Sequence, residues 1–454
     1  MRTTEETMIL LSSHDHNLPV LAPLLRQHRP TCQEPETLHT PLHKAILGAA
    51  QYLSISDCNL QEEKLKLAEQ TVRLLLENGA IWNDLDREGK TPGCVADENG
   101  LKGLYEIMVD AGVRAELLFS RLDGYISLGG ESEGEDEEDE DEEDEEDEEE
   151  EEEEKEEEQG KEGDKGMEDG DEEVPALVSA DTAAAADREQ KDTPKEETSK
   201  GTAEPEWKDP NPITSPAYLS SRLTYHPDKL LDADSNGVMM SWETDIMRRT
   251  AELLLLQTPT PPSSTTTTSG PRVLNIGFGM GIIDTLFQSH SPPPKKHTII
   301  EAHPDVLTHH LHTTSPWRTN PAIEILPGRW QDVLPSLITR GEIYDAIYFD
   351  TFAEDYSALR DFFTEYVIAL LNPEGGRFGF FNGLGADRKI SYDVYRKVVE
   401  MDLFEAGLET KWEVVKVGDL EKEGEWEGVR RKYWSLDEYW LPICTFLGEL
   451  EEGV

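Results

Sequence analysis

Four cysteines are scattered through 454 residues, Cys32, Cys58, Cys94 and Cys444, and no two of them form a CxxC pair. Such spacing suggests neither a disulfide framework nor a zinc site, and it suits a reducing compartment. Long hydrophobic runs are missing as well: none approaches the ~20 residues of a membrane-spanning helix. The N-terminus also lacks the basic, apolar and small-residue succession of a signal peptide. A soluble, intracellular protein with no membrane partner is the expectation. Positive charge is scarce, with 42 Lys and Arg against 96 Asp and Glu, a formal net charge of −54. A polyanion releases no counterions from another polyanion, so direct nucleic-acid binding is not expected and basic partners are favoured.

The acidic excess is concentrated. From Glu131 to Glu158 the chain is Asp and Glu, interrupted only by Ser132, Gly134 and Lys155, and low complexity continues to about residue 208. A block of this kind repels itself and cannot bury apolar area, so a disordered acidic linker is expected over 126–208. It serves either as a solvated spacer or as a docking tail for basic proteins. With roughly 100–200 residues per domain, the flanking segments are each long enough for a domain of their own, over 1–125 and 209–454.

Within the first segment, "TPLHKAI" (40–46) matches the T-P-L-H-x-A signature that opens an ankyrin repeat. In that motif Thr-Pro starts a turn and helix, and the His side chain bridges backbone groups of neighbouring turns. "TVRLLLENGAIWNDLDREGKTPGCVA" (71–96) then supplies an apolar helix, a Gly79 suited to ending it in the left-handed conformation, and a second Thr-Pro start. The segment resembles ankyrin repeats. Thr40 and Thr91 are 51 positions apart, which against a period of about 33 implies an insertion of about 18 residues. Since two to two and a half repeats are fewer than the roughly three needed for stability alone, capping by residues 1–39 or by the second domain is expected.

The second segment alternates. Short apolar runs at 272–278, 297–302, 322–326, 344–350 and 376–382 are separated by helix-length stretches, the pattern of a doubly wound α/β domain with its ligand crevice just past the first strand. "NIGFGMGIID" (275–284) places glycines between that strand and a helix, where the backbone can approach a nucleotide closely. Its G-x-G-x-G text lacks the longer spacing that seats a pyrophosphate. The next strand ends in Glu301, twenty positions after Gly281, where a carboxylate accepts hydrogen bonds from a ribose diol. A nucleoside without a phosphate chain fits better than a dinucleotide.

With "GRWQD" (328–332), "DAIYFDTF" (345–352) and "LLNPEGGRFGFFN" (370–382) following in that order, the segment resembles a class I S-adenosylmethionine-dependent methyltransferase. The resemblance implies a Rossmann-like α/β fold with a mixed seven-stranded sheet. "VMMSWETDIM", "RVLNIGFGMGI", "IIEAH", "GRWQD" and "YFDTF" resemble guanidinoacetate methyltransferases in particular. Together with the ankyrin-like region and acidic linker, they are similar to the fungal arginine N-delta methyltransferases, also called type IV protein arginine methyltransferases. The acidic hairpin and Thr-His-Trp loop of the common protein arginine methyltransferases have no counterpart here.

That resemblance implies S-adenosylmethionine as cofactor, with Phe278, Gly279, Met280, Gly281, Ile282 and Ile283 around its methionine and ribose moieties. Glu301 is implied at the ribose diol beside Ala302 and His303, Trp330 and Gln331 at the adenine edge, and Met247 and Tyr218 closing the pocket. Glu243 and Asp350 are implied as the carboxylates that grip the guanidino group, Asp350 also reaching the cofactor. A competing reading makes Glu243 only a helix-dipole partner, because acids favour a first turn. The histidines of "LTHHLHTT" (307–314) have no carboxylate or cysteine partner close in sequence, and no metal is expected. The implied substrate is a basic protein, for the family a large-subunit ribosomal protein, in cytoplasm and nucleus, and nothing calls for more than a monomer. The alternatives are a small-molecule guanidino N-methyltransferase and a non-catalytic adaptor for basic proteins.

Overall fold

The computed structural model describes residues 3–129, 215–256 and 270–448; of the linker expected over 126–208, all but the first four residues lie outside them. Six helices come first: α1 (Thr4–His14), α2 (Leu18–Leu25), α3 (Pro41–Ala50), α4 (Cys58–Glu77), α5 (Pro92–Glu98) and α6 (Lys102–Gly129). Both Thr-Pro pairs start helices. The hydroxyl oxygens of Thr40 and Thr91 accept the amides of His43 and Cys94 at 3.4 and 3.2 Å, with Pro41 and Pro92 where no amide partner is needed. Buried His43 ties the two starts together. Its Nδ1 lies 3.2 Å from the Thr40 amide and its Nε2 3.1 Å from the Lys90 carbonyl. Gly79, at φ 88°, turns the chain out of α4.

The remainder is built on two sheets. After α7 (Ser215–Ser220), strands β1 (Thr224–Tyr225), β2 (Lys229–Leu231) and β3 (Gly237–Met240) form a small antiparallel sheet that leads into α8 (Thr244–Leu254). The main sheet starts with β4 (Arg272–Ile276), α9 (Ile282–Gln288), β5 (Lys296–Glu301), α10 (Pro304–His309), α11 (Pro316–Thr319) and β6 (Ile323–Pro327). It continues through α12 (Trp330–Thr339), β7 (Ala346–Phe349), α13 (Tyr356–Asp361), a π-helical turn at Phe362–Val367, α14 (Ile368–Leu370) and β8 (Arg377–Phe380). It ends with α15 (Lys389–Glu405), β9 (Leu408–Lys416) and β10 (Glu438–Phe446).

Strand order is β6-β5-β4-β7-β8-β10-β9, with β4 to β8 parallel and β10 antiparallel to both β8 and β9. This is the mixed seven-stranded sheet of a class I methyltransferase. Helices cover both faces, so the central strands are apolar on both sides: Val273, Leu274, Ala346 and Ile347 are all 0 % exposed. Strand order reverses at β4, which places the crevice beyond the C-terminal ends of β4, β5 and β7. No helix among the described residues is long and apolar enough to cross a membrane.

Helix α15 serves two cores. One face covers the main sheet through Val399 and Leu403, while Ile390, Val394 and Val398 join Trp82, Leu104 and Met108 of the N-terminal helices. Around that seam the Tyr105 hydroxyl donates to Asp393 at 2.6 Å, and Lys397 lies 3.2 Å from Asp110. Any side chain at Gly93 would lie 1.9 Å from Ile390 Cδ1. The N-terminal helices therefore have α1 and α2 at one end and α15 at the other, and the two parts form one compact unit. Truncating Ile390 to Ala should cost about 2–5 kcal/mol and lower the melting of both parts together. Two separate transitions in calorimetry of the intact chain would contradict the shared core.

Candidate active site

A cavity of ≈ 250 Å³ opens at the crevice. Among the residues singled out from the sequence, Tyr218, Glu243, Gly279, Glu301, Ala302, Trp330, Gln331 and Asp350 line it. Met247, Phe278 and Ile283 lie instead in the adjoining core, at 0, 1 and 2 % exposure. Met280, Gly281 and Ile282 form the turn into α9, where the Met280 amide points to Met239 Sδ at 3.2 Å. Buried His303 supports the wall from behind. Its Nδ1 accepts the Asp305 amide at 3.1 Å, starting α10, and its Nε2 lies 3.1 Å from the Tyr218 carbonyl. His309 stacks on Tyr225 at 3.9 Å, with His310 edge-on to the same ring.

The glycines of the β4–α9 loop meet the need for close backbone approach in two ways. Gly277, at φ 89°, passes the tip of β7 so closely that a Cβ would sit 1.9 Å from the Asp350 carbonyl oxygen. At Gly279, φ 55°, a Cβ would meet the end of Met239 at 2.7 Å. Glu301, from the end of β5, ties this loop down. Its Oε2 accepts the amides of Phe278 and Gly279 at 2.8 and 3.3 Å, and its Oε1 accepts that of His303 at 2.6 Å. Burial pushes its carboxyl up and these amides pull it down. Glu301 thus has a structural duty besides any ligand.

At the far wall the Trp330 indole and the Gln331 amide both donate to Glu354, at 3.0 and 3.1 Å. Gln331 Oε1 is left buried without a partner. This orphaned acceptor, the carboxylate of Glu301 and the apolar wall between them suit an aminopurine nucleoside, whose exocyclic amine and ribose hydroxyls are donors. The residues present therefore fit S-adenosylmethionine, with Gln331 and Trp330 at its base and Glu301 at its ribose.

Glu243 and Asp350 line the same cavity and lie close enough to interact electrostatically. Glu243 ends a single helical turn, Ser241–Glu243, just before α8, and its Oε1 accepts the Met240 amide at 3.0 Å and the hydroxyl of Tyr433. The cap role is real but uses one oxygen. Asp350 extends from the tip of β7, and its buried Oδ2 has no hydrogen-bond partner. Burial, reinforced by Asp350, pushes the Glu243 carboxyl up to about 8. Burial and then Asp284 push Asp350 up to about 7. No cationic side chain among the described residues offsets either one. An unpaired buried carboxylate costs several kcal/mol unless it takes a proton or a cation, so the pair is a receptor for positive charge.

Three contributors to this site escape sequence reasoning. Tyr433 lies 190 positions from Glu243, in the connection between β9 and β10, where no periodicity marks it. Glu354 follows the "YFDTF" text by two residues and looks like any loop acid. Met239 lies within the "VMMSWETDIM" stretch, which carries the family resemblance.

The raised carboxyls carry a stability signature. Between the unfolded value near 4 and the folded value near 7, folded Asp350 holds a proton that the unfolded chain has lost. Ligand-free stability therefore falls as pH rises through that window. Asp350→Asn removes the loss, so the variant should gain thermal stability relative to the parent between pH 5 and 8, read by calorimetry. A difference independent of pH would show that Asp350 ionises freely in the fold.

Comparisons with known proteins identify the family. Residues 215–412 match the family model described as guanidinoacetate N-methyltransferase. "Protein arginine N-methyltransferase 2" of Aspergillus fumigatus is 45 % identical over 97 % of this chain and 96 % of the relative. The protein of the same name from Emericella nidulans is 46 % identical over the same shares, and that of Saccharomyces cerevisiae 34 % over 90 % and 83 %. Solved structures are more remote. Fibrillarin from Aeropyrum pernix, bound to S-adenosyl-L-methionine, aligns with a TM-score of 0.28 and 14 % identity over 51 % of this chain and 85 % of that one. So loose an alignment adds nothing to the strand order as evidence of the fold. Identity at this level along almost the whole length places the chain in the protein arginine N-methyltransferase 2 family.

Proposed function

We propose that the protein transfers a methyl group from S-adenosylmethionine to the internal delta nitrogen of arginine in a basic protein substrate, of the large-subunit ribosomal class. The observation that carries the reading is the pair of uncompensated carboxylates, Glu243 and Asp350, in a cavity whose lining also suits a nucleoside. A guanidinium is planar, permanently charged and forked, and so matches two carboxylates better than an ammonium does. Its arrival replaces the protons that burial retains. A bound cation thus shifts both acids toward their ionised forms.

Bound S-adenosylmethionine supplies an electrophilic methyl group on a sulfonium. The residues of this chain supply the rest. Glu243 holds the guanidinium and draws positive charge toward the nitrogens that are not attacked. Asp350, with a value near 7 in the empty site, suits the acceptor of the proton that leaves the methylated nitrogen as its bond to carbon forms and the carbon–sulfur bond breaks. Tyr218, packed on His303 at 4.7 Å and Phe352 at 4.9 Å, keeps water from the crevice. The N-terminal helices, read as ankyrin-like, present a recognition surface for the protein substrate, and the 126–208 linker is read as an acidic tether. Their attachment through α15 favours a macromolecular substrate over a free guanidino compound, because the "NGLGADRK" stretch (382–389) joins the cavity wall at Gly383 and Leu384 to the start of that helix.

Glu243→Gln retains the size of the side chain and an acceptor for Met240 but removes the charge. Catalytic efficiency on large-subunit ribosomal proteins should fall on the order of 10²-fold while calorimetric cofactor affinity stays constant. Fragmentation mass spectrometry of the parent reaction should place the methyl on the delta nitrogen. Omega products, or near-parental turnover by the folded variant, would overturn the reading.

A further inference from the structure

The connection between β9 and β10, residues 417–437, crosses back over the carboxylate wall and is fastened to the small sheet. The Arg430 amide donates to the Ser235 carbonyl at 2.8 Å, and Lys229 Nζ donates to the Glu427 carbonyl at 3.0 Å. Tyr433 sits near its C-terminal end. Its ring stacks on Trp242 at 6.0 Å, meets Trp426 edge-on at 5.2 Å, and lies so close to β3 that a side chain at Gly237 would approach its Cε1 to 3.1 Å. Packing on three sides leaves the hydroxyl little freedom. It points at Glu243 Oε1, the oxygen that also accepts the Met240 amide.

We propose that Tyr433 is a positioning residue of the methyl-transfer site: with the Met240 amide it occupies one oxygen of Glu243 and leaves the other, Oε2, turned to the substrate guanidinium. The proposal rests on the reading of Glu243 given above and adds the group that fixes its orientation. A glutamate has three rotatable side-chain bonds, and a gripping carboxylate that can swing gives up geometric selectivity among the nitrogens of a guanidinium. Two donors on Oε1 remove that freedom. The chemistry of the second donor also matters. A lysine or arginine would cancel the negative charge that the substrate needs, whereas a neutral phenol orients the carboxylate and leaves its charge in place.

The phenol is suited to this role. Burial, then Glu243, pushes its ionisation well above the ordinary value, so it donates throughout the working range. The donation in turn lowers the carboxyl of Glu243 against the burial that raises it. The titratable groups facing Glu243 are Asp350 and Tyr348 from β7, Tyr439 from β10 and Tyr433 itself. Among them the hydroxyl of Tyr433 makes the hydrogen bond to Glu243, so its removal leaves the repulsion from Asp350 unopposed except by the Met240 amide.

The test uses the full chain with large-subunit ribosomal proteins as substrate and follows kcat/KM against pH, whose acid limb reports the free enzyme. Tyr433→Phe should lower kcat/KM by about 10- to 100-fold and move the acid limb to higher pH, while the Kd for S-adenosylmethionine holds within about twofold. Replacing Tyr433 by 3-fluorotyrosine, a stronger donor of nearly the same size, should move the limb the other way. In a Glu243→Gln background Tyr433→Phe should cost little more, since both changes act on one group. A Phe variant with the parental profile would overturn the positioning role and leave Glu243 as the grip. An equal loss in both backgrounds would overturn it too, because Tyr433 would then act without Glu243. A fully active Glu243→Gln protein would overturn the reading of Glu243 itself and this inference with it. A Phe variant that only loses folded protein, with the fluorotyrosine limb unmoved, would reduce Tyr433 to packing.

Discussion

Negative charge held out of water without a counter-ion is the constraint around which this crevice is arranged. Glu243 and Asp350 reach the cavity from different elements, the turn before α8 and the tip of β7, and each is pushed toward its neutral form by burial. Folding alone gains nothing from such a pair. A cation entering the cavity gains what folding forgoes, because it meets two acceptors already stripped of water and held in place. The surroundings preserve that condition. Tyr433 and the Met240 amide hold Glu243 as neutral donors, and the aromatic rings of Trp242, Trp426 and Trp434 exclude solvent without adding positive charge.

Glu301 follows a different logic. It spends its oxygens on three backbone amides of the β4–α9 and β5–α10 loops, so the empty crevice already has its shape. Gly277 lets the β4–α9 loop pass beside the Asp350 carbonyl. The glycine-rich loop and the strand that carries Asp350 are therefore in contact. The tip of β7 and the β4–α9 loop are set relative to each other by this close backbone approach.

Helix α15 links this chemistry to the N-terminal helices. It starts close to Gly383 and Leu384 at the cavity wall, packs on the main sheet through one face and gives the other to α5 and α6. The helical segment is consequently part of the same folded body. Its orientation to the crevice is held by apolar contacts and by the bond between Tyr105 and Asp393.

Much of the fold was legible because it follows from local rules. Alternating short apolar runs predicted the parallel strands β4 to β8, and Thr-Pro pairs predicted where α3 and α5 begin, since a cap and its proline act within four residues. The strand-end acid Glu301 was legible for the same reason, since it closes an apolar run that must be a strand, whereas Asp350 was marked out by the family resemblance. Residues whose role depends on a distant partner were not. Phe278, Ile283 and Met247 resemble loop and helix residues that face a ligand, yet their side chains lie in the core, because which side of a loop or helix faces the core is set by what packs against it. Tyr433 and Glu354 carry no pattern at all. By itself the sequence determined the order of the elements, the acidic balance and the chemical types at the strand tips. Only the tertiary structure decided which oxygens remain without partners and which tyrosine meets Glu243, because these depend on contacts between segments far apart along the chain.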